Sequence, residues 1–71
     1  SSYNKNLESS AIIFTSITNV KSAPTQGGKI LFSLHSGTKV KIKDQVGKWL
    51  NIEISNGDKG WIQKESCKII I

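Results

Sequence analysis

The chain has 71 residues, which is enough for one domain with a single apolar core. Ten lysines, no arginine and five acidic residues give a net charge of +5, which can attract nucleic acid or an anionic envelope surface. One cysteine and one histidine exclude an intrachain disulfide and a cysteine metal cluster, and no apolar run is long enough to span a bilayer.

The first ten residues are polar and rich in Ser and Asn, which predicts a disordered linker at 1–10 ahead of a domain at 11–71. They lack the apolar segment of a signal peptide. We therefore expect the chain to be a piece of a longer protein.

Short β-branched and alternating segments follow, separated by Gly, Pro, Asn and Ser. Asn56-Gly57 between two apolar runs predicts a tight hairpin turn, because such turns need residues that tolerate positive φ. Strands are predicted at 11–15, 30–34, 38–44, 49–54, 59–62 and 67–71, with a short extended piece at 19–22 and one 3-10 turn near 63–66. No segment has helical periodicity over a stable length. The pattern predicts an all-β fold, a small closed barrel of five to six short antiparallel strands.

The alternation also predicts which side chains face the interior. The expected core consists of Ile12, Phe14, Val20, Ile30, Leu34, Val40, Ile42, Leu50, Ile52, Ile54 and Ile62. Gly60 is expected where two strands cross closely, so that a Cβ at this position would be costly.

The lysines are scattered, and only Lys39, Lys41 and Lys43 form a stripe, which we interpret as the solvated face of one strand. Nucleic-acid footprints usually cluster their basic groups and use the guanidinium fork of arginine, which this chain lacks. A nucleic-acid-binding barrel therefore remains an alternative that we do not favour.

Groups for catalysis or metal binding are few. Asp44 and Asp58 fall in or beside turns, Glu53 falls on an outer strand face, and nothing connects His35 with Cys67. No carboxylate pair, metal-ligand spacing or phosphate-binding glycine loop is present. We predict no enzyme activity, no metal site and no cofactor.

Four motifs occur in order along the chain: NVKSAP at 19–24, LHSGTKV at 34–40, GKWLNI at 47–52 and NGDKGWI at 56–62. Together they resemble the bacterial SH3-like domain family over about residues 11–70. The resemblance implies a small SH3-like barrel that recognises a cell-wall peptide or a protein partner.

Residues 32–40 are also similar to the C-terminal domains of envelope-associated, aerotolerance-type tetratricopeptide-repeat proteins. This similarity implies an extracytoplasmic domain, periplasmic or membrane-tethered, that reaches the membrane only through the rest of its parent chain. We expect the domain to be a monomer.

Trp49 begins a strand and points away from the face that carries Leu50 and Ile52. It resembles in position the tryptophan that lines the proline-peptide groove of eukaryotic SH3 domains. Gln63 and Ser66 stand where that family has a proline and a groove tyrosine, so we do not expect a proline-rich ligand.

Trp49 and Trp61 are the predicted ligand-binding residues, as parts of an exposed aromatic surface. The alternative is that each indole covers one end of the barrel. The sequence thus predicts a non-catalytic interaction module of a larger bacterial envelope protein, which binds a protein partner or cell-wall peptide in a groove near Trp49. A basic barrel that binds nucleic acid and a structural spacer without a ligand remain alternatives.

Overall fold

The computed structural model describes residues 9–70. Residues 1–8 of the predicted linker and residue 71 lie outside the described residues. Seven strands and one 3-10 turn form in chain order: β1 Ser9–Ile13, β2 Ile17–Lys21, β3 Ile30–His35, β4 Lys39–Val46, β5 Trp49–Glu53, β6 Lys59–Gln63, the 3-10 turn Lys64–Ser66 and β7 Cys67–Ile70. No helix among these residues has the length and apolar character needed to cross a membrane.

All neighbouring strands are antiparallel and belong to one sheet in the order β3-β2-β6-β5-β4-β1-β7. The predicted all-β class and the 3-10 turn are confirmed. The sheet has seven strands, one or two more than expected for the barrel, because every predicted extended segment, including the short piece at 19–22, pairs in the same sheet.

The predicted Asn-Gly hairpin joins β5 and β6. Gly57 has a φ of 99°, and its N–H donates to the carbonyl of Ile54 at 2.9 Å. The Asn56 side-chain oxygen accepts the N–H of Asp58 at 3.0 Å. Glycine removes the penalty of positive φ and asparagine caps the turn locally, so the sequence fixes this connection.

Every strand contributes to one cluster of buried side chains: Ala11, Ile13, Val20, Leu34, Val40, Leu50, Ile52, Ile62 and Cys67. Phe32, Ile42 and Ile54 pack against this cluster and are partly buried. Because a single sheet encloses a single core, the sheet must curl around it as a small barrel does.

The predicted facing of the first strand is wrong. Ala11 and Ile13 are fully buried, whereas Ile12 is half-buried and Phe14 is 59% exposed. The run Ala-Ile-Ile-Phe is apolar at every position, so no polar residue marks its outer face. A shift of one residue then exchanges the two faces of the whole strand.

Ile30 is also not in the core, since 53% of it is exposed. Val20 pairs with Phe32, but the next residue, Lys21, pairs with Ile30, which leaves Leu31 as the extra residue of a β-bulge. The bulge changes the alternation, and Ile30 therefore shares the outer face with Lys21.

Gly60 lies where β6 meets β2, next to the pairing of Trp61 with Lys21. A Cβ on Gly60 would overlap Cγ1 of Val20 and lie 3.1 Å from the carbonyl oxygen of Lys21. The predicted close approach of two strands at this glycine is confirmed.

Candidate functional site

Trp49 is held at the start of β5 by the β4–β5 hairpin, whose Gly47 has a φ of 58°. Leu50 is buried, so Trp49 points to the outer face of the sheet, as its sequence position predicts. Its strand partners are Val46 on β4 and Gln63 on β6. The indole is half-buried between these neighbours and leaves part of its surface available for contact.

Two cavities meet at Trp49. The larger measures about 610 Å³ and the smaller about 280 Å³, and both are lined by Trp49, Gln26 and Gln63. We call their union the Trp49 groove. Its larger end is completed by Lys48, Lys64 and Glu65, and its smaller end by Ile17, Thr18, Asn19, Lys21 and Ser66.

One wall of the groove is the loop between β2 and β3, which carries Gln26. The ammonium group of Lys21 donates to the carbonyl of Gln26 at 2.9 Å. At the base of the loop, the N–H of Ser22 donates to the carbonyl of Lys29 at 2.8 Å. These contacts hold the loop against the end of β2, where Lys21 pairs with Trp61 of β6.

The opposite wall is formed by the 3-10 turn and the β4–β5 hairpin. The N–H of Lys64 donates to the carbonyl of Lys48 at 2.7 Å, which fixes the two lysine-bearing segments to each other. Backbone hydrogen bonds therefore set the width of the groove at this end.

Trp61, the other predicted binding residue, lies beside the groove. It pairs with Asn51 on β5 and with Lys21 on β2, so it occupies the same outer face as Trp49 in a diagonal position. It is half-buried and lines neither cavity of the groove. The two tryptophans are brought to one face, but only Trp49 forms a groove wall.

Gln26 is a groove residue that the sequence did not indicate. It lies in an irregular loop, and its approach to Trp49 depends on how that loop folds back over β2. No periodicity or spacing in the chain carries that information. Gln63 was singled out only as a departure from the proline-peptide pattern, yet it pairs directly with Trp49.

The groove offers an indole, three carboxamides and the ammonium groups of Lys21, Lys48 and Lys64 against the single carboxylate of Glu65. Carboxamides both donate and accept hydrogen bonds, and ammonium groups attract carboxylates. A flat or aliphatic group stacked on the indole, flanked by peptide amides and a carboxylate, matches this set.

His35 and Cys67, the two residues with nucleophilic or general-base chemistry, do not line the groove. His35 is exposed at the end of β3, and Cys67 is buried in the core. Burial raises the pKa of the Cys67 thiol and so disfavours the reactive thiolate. Among residues 9–70, no three metal-binding side chains form a group that could hold an ion.

A family model described as bacterial SH3 domain matches residues 16–67, which is more than half of the chain. The match begins after β1 and ends at the first residue of β7. No curated protein matches the chain.

Proposed function

Because the chain belongs to the bacterial SH3 domain family, we propose that it is a non-catalytic interaction module that binds a carboxylate-bearing peptide in the Trp49 groove. Domains of this family are typically non-catalytic binding modules. The observation that carries the proposal is a half-buried indole in a groove whose larger cavity measures about 610 Å³, within the size range of small-ligand sites.

A short cell-wall peptide fits the groove chemistry best. Its backbone amides can bond Gln26 and Gln63, which line the groove with the indole, and its carboxylates can bind Lys48 and Lys64. An extended segment of a protein partner offers the same amides but need not bring carboxylates. Trp61 would contact a ligand that extends past the groove along β6.

Calorimetric titration with muropeptides tests the groove. We expect Trp49→Ala to weaken binding by about 30-fold, since removing a buried aromatic anchor typically costs at least about 2 kcal/mol. Trp61→Phe is the control: it lies outside both cavities and keeps an aromatic ring where a longer ligand would pass, so it should change the affinity by less than about threefold. In that control protein Trp49 is the remaining tryptophan, so its emission should shift as ligand is added.

The proposal fails if the wild-type protein binds no muropeptide, or if Trp49→Ala binds as tightly as wild type while circular dichroism shows that it is folded. A nucleic-acid-binding barrel would instead show affinity for oligonucleotides that falls steeply with salt, because phosphate binding releases counterions. A structural spacer would bind neither class of ligand.

We further propose that the parent protein belongs to the cell envelope. Domains of this family often occur in extracellular or envelope proteins, and the similarity of residues 32–40 to aerotolerance-type tetratricopeptide-repeat proteins points the same way. The sequence of the parent gene tests this. A signal peptide, membrane span or helical repeats upstream would support it, and a cytoplasmic nucleic-acid enzyme upstream would overturn it.

A further inference from the structure

A second surface is formed by lysines that are far apart in the sequence. β1 lies between β4 and β7, and Ile12 pairs with Lys39 on one side and with Lys68 on the other. Paired residues of adjacent strands point to the same face, so these three side chains form one row on the outside of the sheet. Lys68, near the end of the chain, thereby joins the stripe on β4.

A neighbouring row extends this surface across five strands. Ser10 pairs with Ile70 and Lys41, Lys41 pairs with Glu53, and Glu53 pairs with Lys59. Lys43 also reaches this row, since its ammonium group lies 3.7 Å from the Glu53 carboxylate. We define the lysine face by its five lysines, one acid and three smaller side chains: Lys39, Lys41, Lys43, Lys59, Lys68, Glu53, Ser10, Ile12 and Ile70.

The lysine face also carries apolar surface. Ile12 is half-buried between Lys39 and Lys68, and Ile70 is 39% exposed at the edge strand β7. A cavity of about 550 Å³, lined in part by Ser10, Lys39 and Lys41, opens at the border of the face. Ammonium groups, a hydroxyl, the half-buried Ile12 and the exposed Ile70 are therefore side by side.

We propose that the lysine face docks on an anionic phospholipid surface, with its lysines at the headgroup phosphates and Ile12 and Ile70 at the acyl boundary. Interleaved basic and apolar side chains are the combination that holds a protein in the membrane interface. This site is separate from the Trp49 groove and does not depend on the peptide ligand. It gives the domain its own membrane contact, beyond the one expected through the parent chain.

Nucleic acid is the less favoured occupant of the same face. Single-stranded nucleic acid is held by stacking on aromatic side chains. Trp49 lies in the groove, and Trp61, although it follows Lys59 by two residues on β6, pairs with Lys21 and Asn51 and with no residue of the lysine face. Base and phosphate recognition favours arginine, of which the chain has none. Attraction to the negative surface potential of anionic headgroups requires no fixed donor geometry, so the ammonium group of lysine is sufficient.

Sedimentation of the full chain with vesicles tests the proposal. Wild type should bind vesicles of 30% phosphatidylglycerol in phosphatidylcholine and should not bind pure phosphatidylcholine. The double variant Lys39→Gln/Lys68→Gln should bind about 25-fold more weakly, since each lysine at an anionic surface contributes about fivefold. The double variant Lys29→Gln/Lys48→Gln removes the same charge elsewhere and should lose less than about threefold.

Two further variants separate docking from simple charge attraction and from the peptide site. Ile70→Ser should weaken vesicle binding by about tenfold through lost apolar burial, with no effect on the net charge. Trp49→Ala should leave vesicle binding unchanged, so that failure of the peptide proposal and failure of this one are distinct results.

Three outcomes would overturn the proposal. One is no binding of the wild-type chain to phosphatidylglycerol vesicles. Another is an equal loss in the two double-lysine variants, which would reflect net charge rather than a face. The third is tighter binding to a 20-base-pair DNA duplex than to vesicles at the same salt, abolished by Lys39→Gln/Lys68→Gln, which would assign the face to nucleic acid.

Discussion

Gly60 shows how a single hydrogen atom in place of a side chain permits the close pairing of β2 with β6. We expect Gly60→Ala to lower the free energy of unfolding by about 1–3 kcal/mol, because its Cβ would overlap Val20, which is fully buried and has no room to move. Urea unfolding followed by tryptophan fluorescence measures the loss.

Gly27→Ala is the matched control for this substitution. No atom lies within 4 Å of a Cβ built there, and its φ is not in the left-handed region. Its effect should be neutral or stabilising by up to about 1 kcal/mol, through a less flexible unfolded chain. Equal stability of the two alanine variants would show that β2 and β6 do not pack closely at Gly60.

Cys67 provides a second expectation at the residue scale, this time in pH dependence. The buried thiol lies 3.7 Å from the carbonyl oxygen of Lys64, toward which it can donate a hydrogen bond, and burial raises its pKa. The unfolded chain can ionise the thiol above about pH 8.5 while the folded chain keeps it neutral. The thiol's contribution to stability is therefore complete below that pH and is lost as the pH rises toward the folded-state pKa.

The stability difference between wild type and Cys67→Ala isolates this contribution. We expect the difference to be constant from pH 6 to 8 and to narrow from pH 8.5 to 10, as measured by urea unfolding at each pH. A thiol reagent at pH 8 should also react far more slowly with the native protein than with the unfolded chain. A constant difference up to pH 10, or rapid native labelling, would contradict the burial of this thiol.

At the scale of the strands, sequence patterning succeeded where polar and apolar residues alternate. In β5 the alternation of Trp49, Asn51 and Glu53 with buried leucine and isoleucine gave both the strand and the outward direction of Trp49. In the predicted first strand every residue from 11 to 14 is apolar, and the facing was predicted one residue out of register. The buried face of a strand can be inferred from a two-residue alternation only where polar residues mark the outer face.

Neither the groove nor the lysine face followed from strand patterning alone. Alternation indicates on which side of its own strand a lysine lies, but it does not indicate which strands are neighbours. Lys68 lies in the same row as Lys39 only because β1 pairs with both β4 and β7. These pairings are long-range and depend on the topology of the whole sheet. Gln26 reaches the groove through the path of an irregular loop.

Alanine substitutions at the end of β1 and at the residue that follows it test the corrected facing. Ile13→Ala should cost about 2–5 kcal/mol of unfolding free energy, since it empties a fully buried position. Phe14→Ala should cost less than about 1 kcal/mol, because the ring is 59% exposed. Ile52→Ala in β5 serves as the reference for a buried isoleucine and should match Ile13→Ala. A larger loss of unfolding free energy in Phe14→Ala than in Ile13→Ala would contradict this facing and support the one predicted from the sequence.

At the scale of the whole molecule, the curl of one sheet separates two outer surfaces. The Trp49 groove lies over β5, β6 and β2, whereas the lysine face is centred on β4, β1 and β7. The residues of the two surfaces do not overlap. A peptide and a lipid surface could therefore be held at once, and a tether of this kind would raise the effective concentration of the domain near its peptide ligand.

The extent of the folding unit is best tested by truncation. The family match covers residues 16–67, but β1 lies before it and contributes Ala11 and Ile13, both fully buried. β1 also stands between β4 and β7, so its removal leaves β4 with β5 as its one neighbouring strand, and the fragment also ends at the first residue of β7. We expect a 16–67 fragment to be unfolded at 25 °C, since a domain this small has only about 5–10 kcal/mol of stability to lose.

A fragment of residues 9–71 retains all seven strands and should melt within a few degrees of the full chain, as followed by circular dichroism. Its comparison with the 16–67 fragment separates the contribution of β1 and β7 from that of the polar residues 1–8. Cooperative melting of the 16–67 fragment at the temperature of the full chain would show that β1 is dispensable. The lysine face, which depends on β1 to align Lys39 with Lys68, would then lose its structural basis.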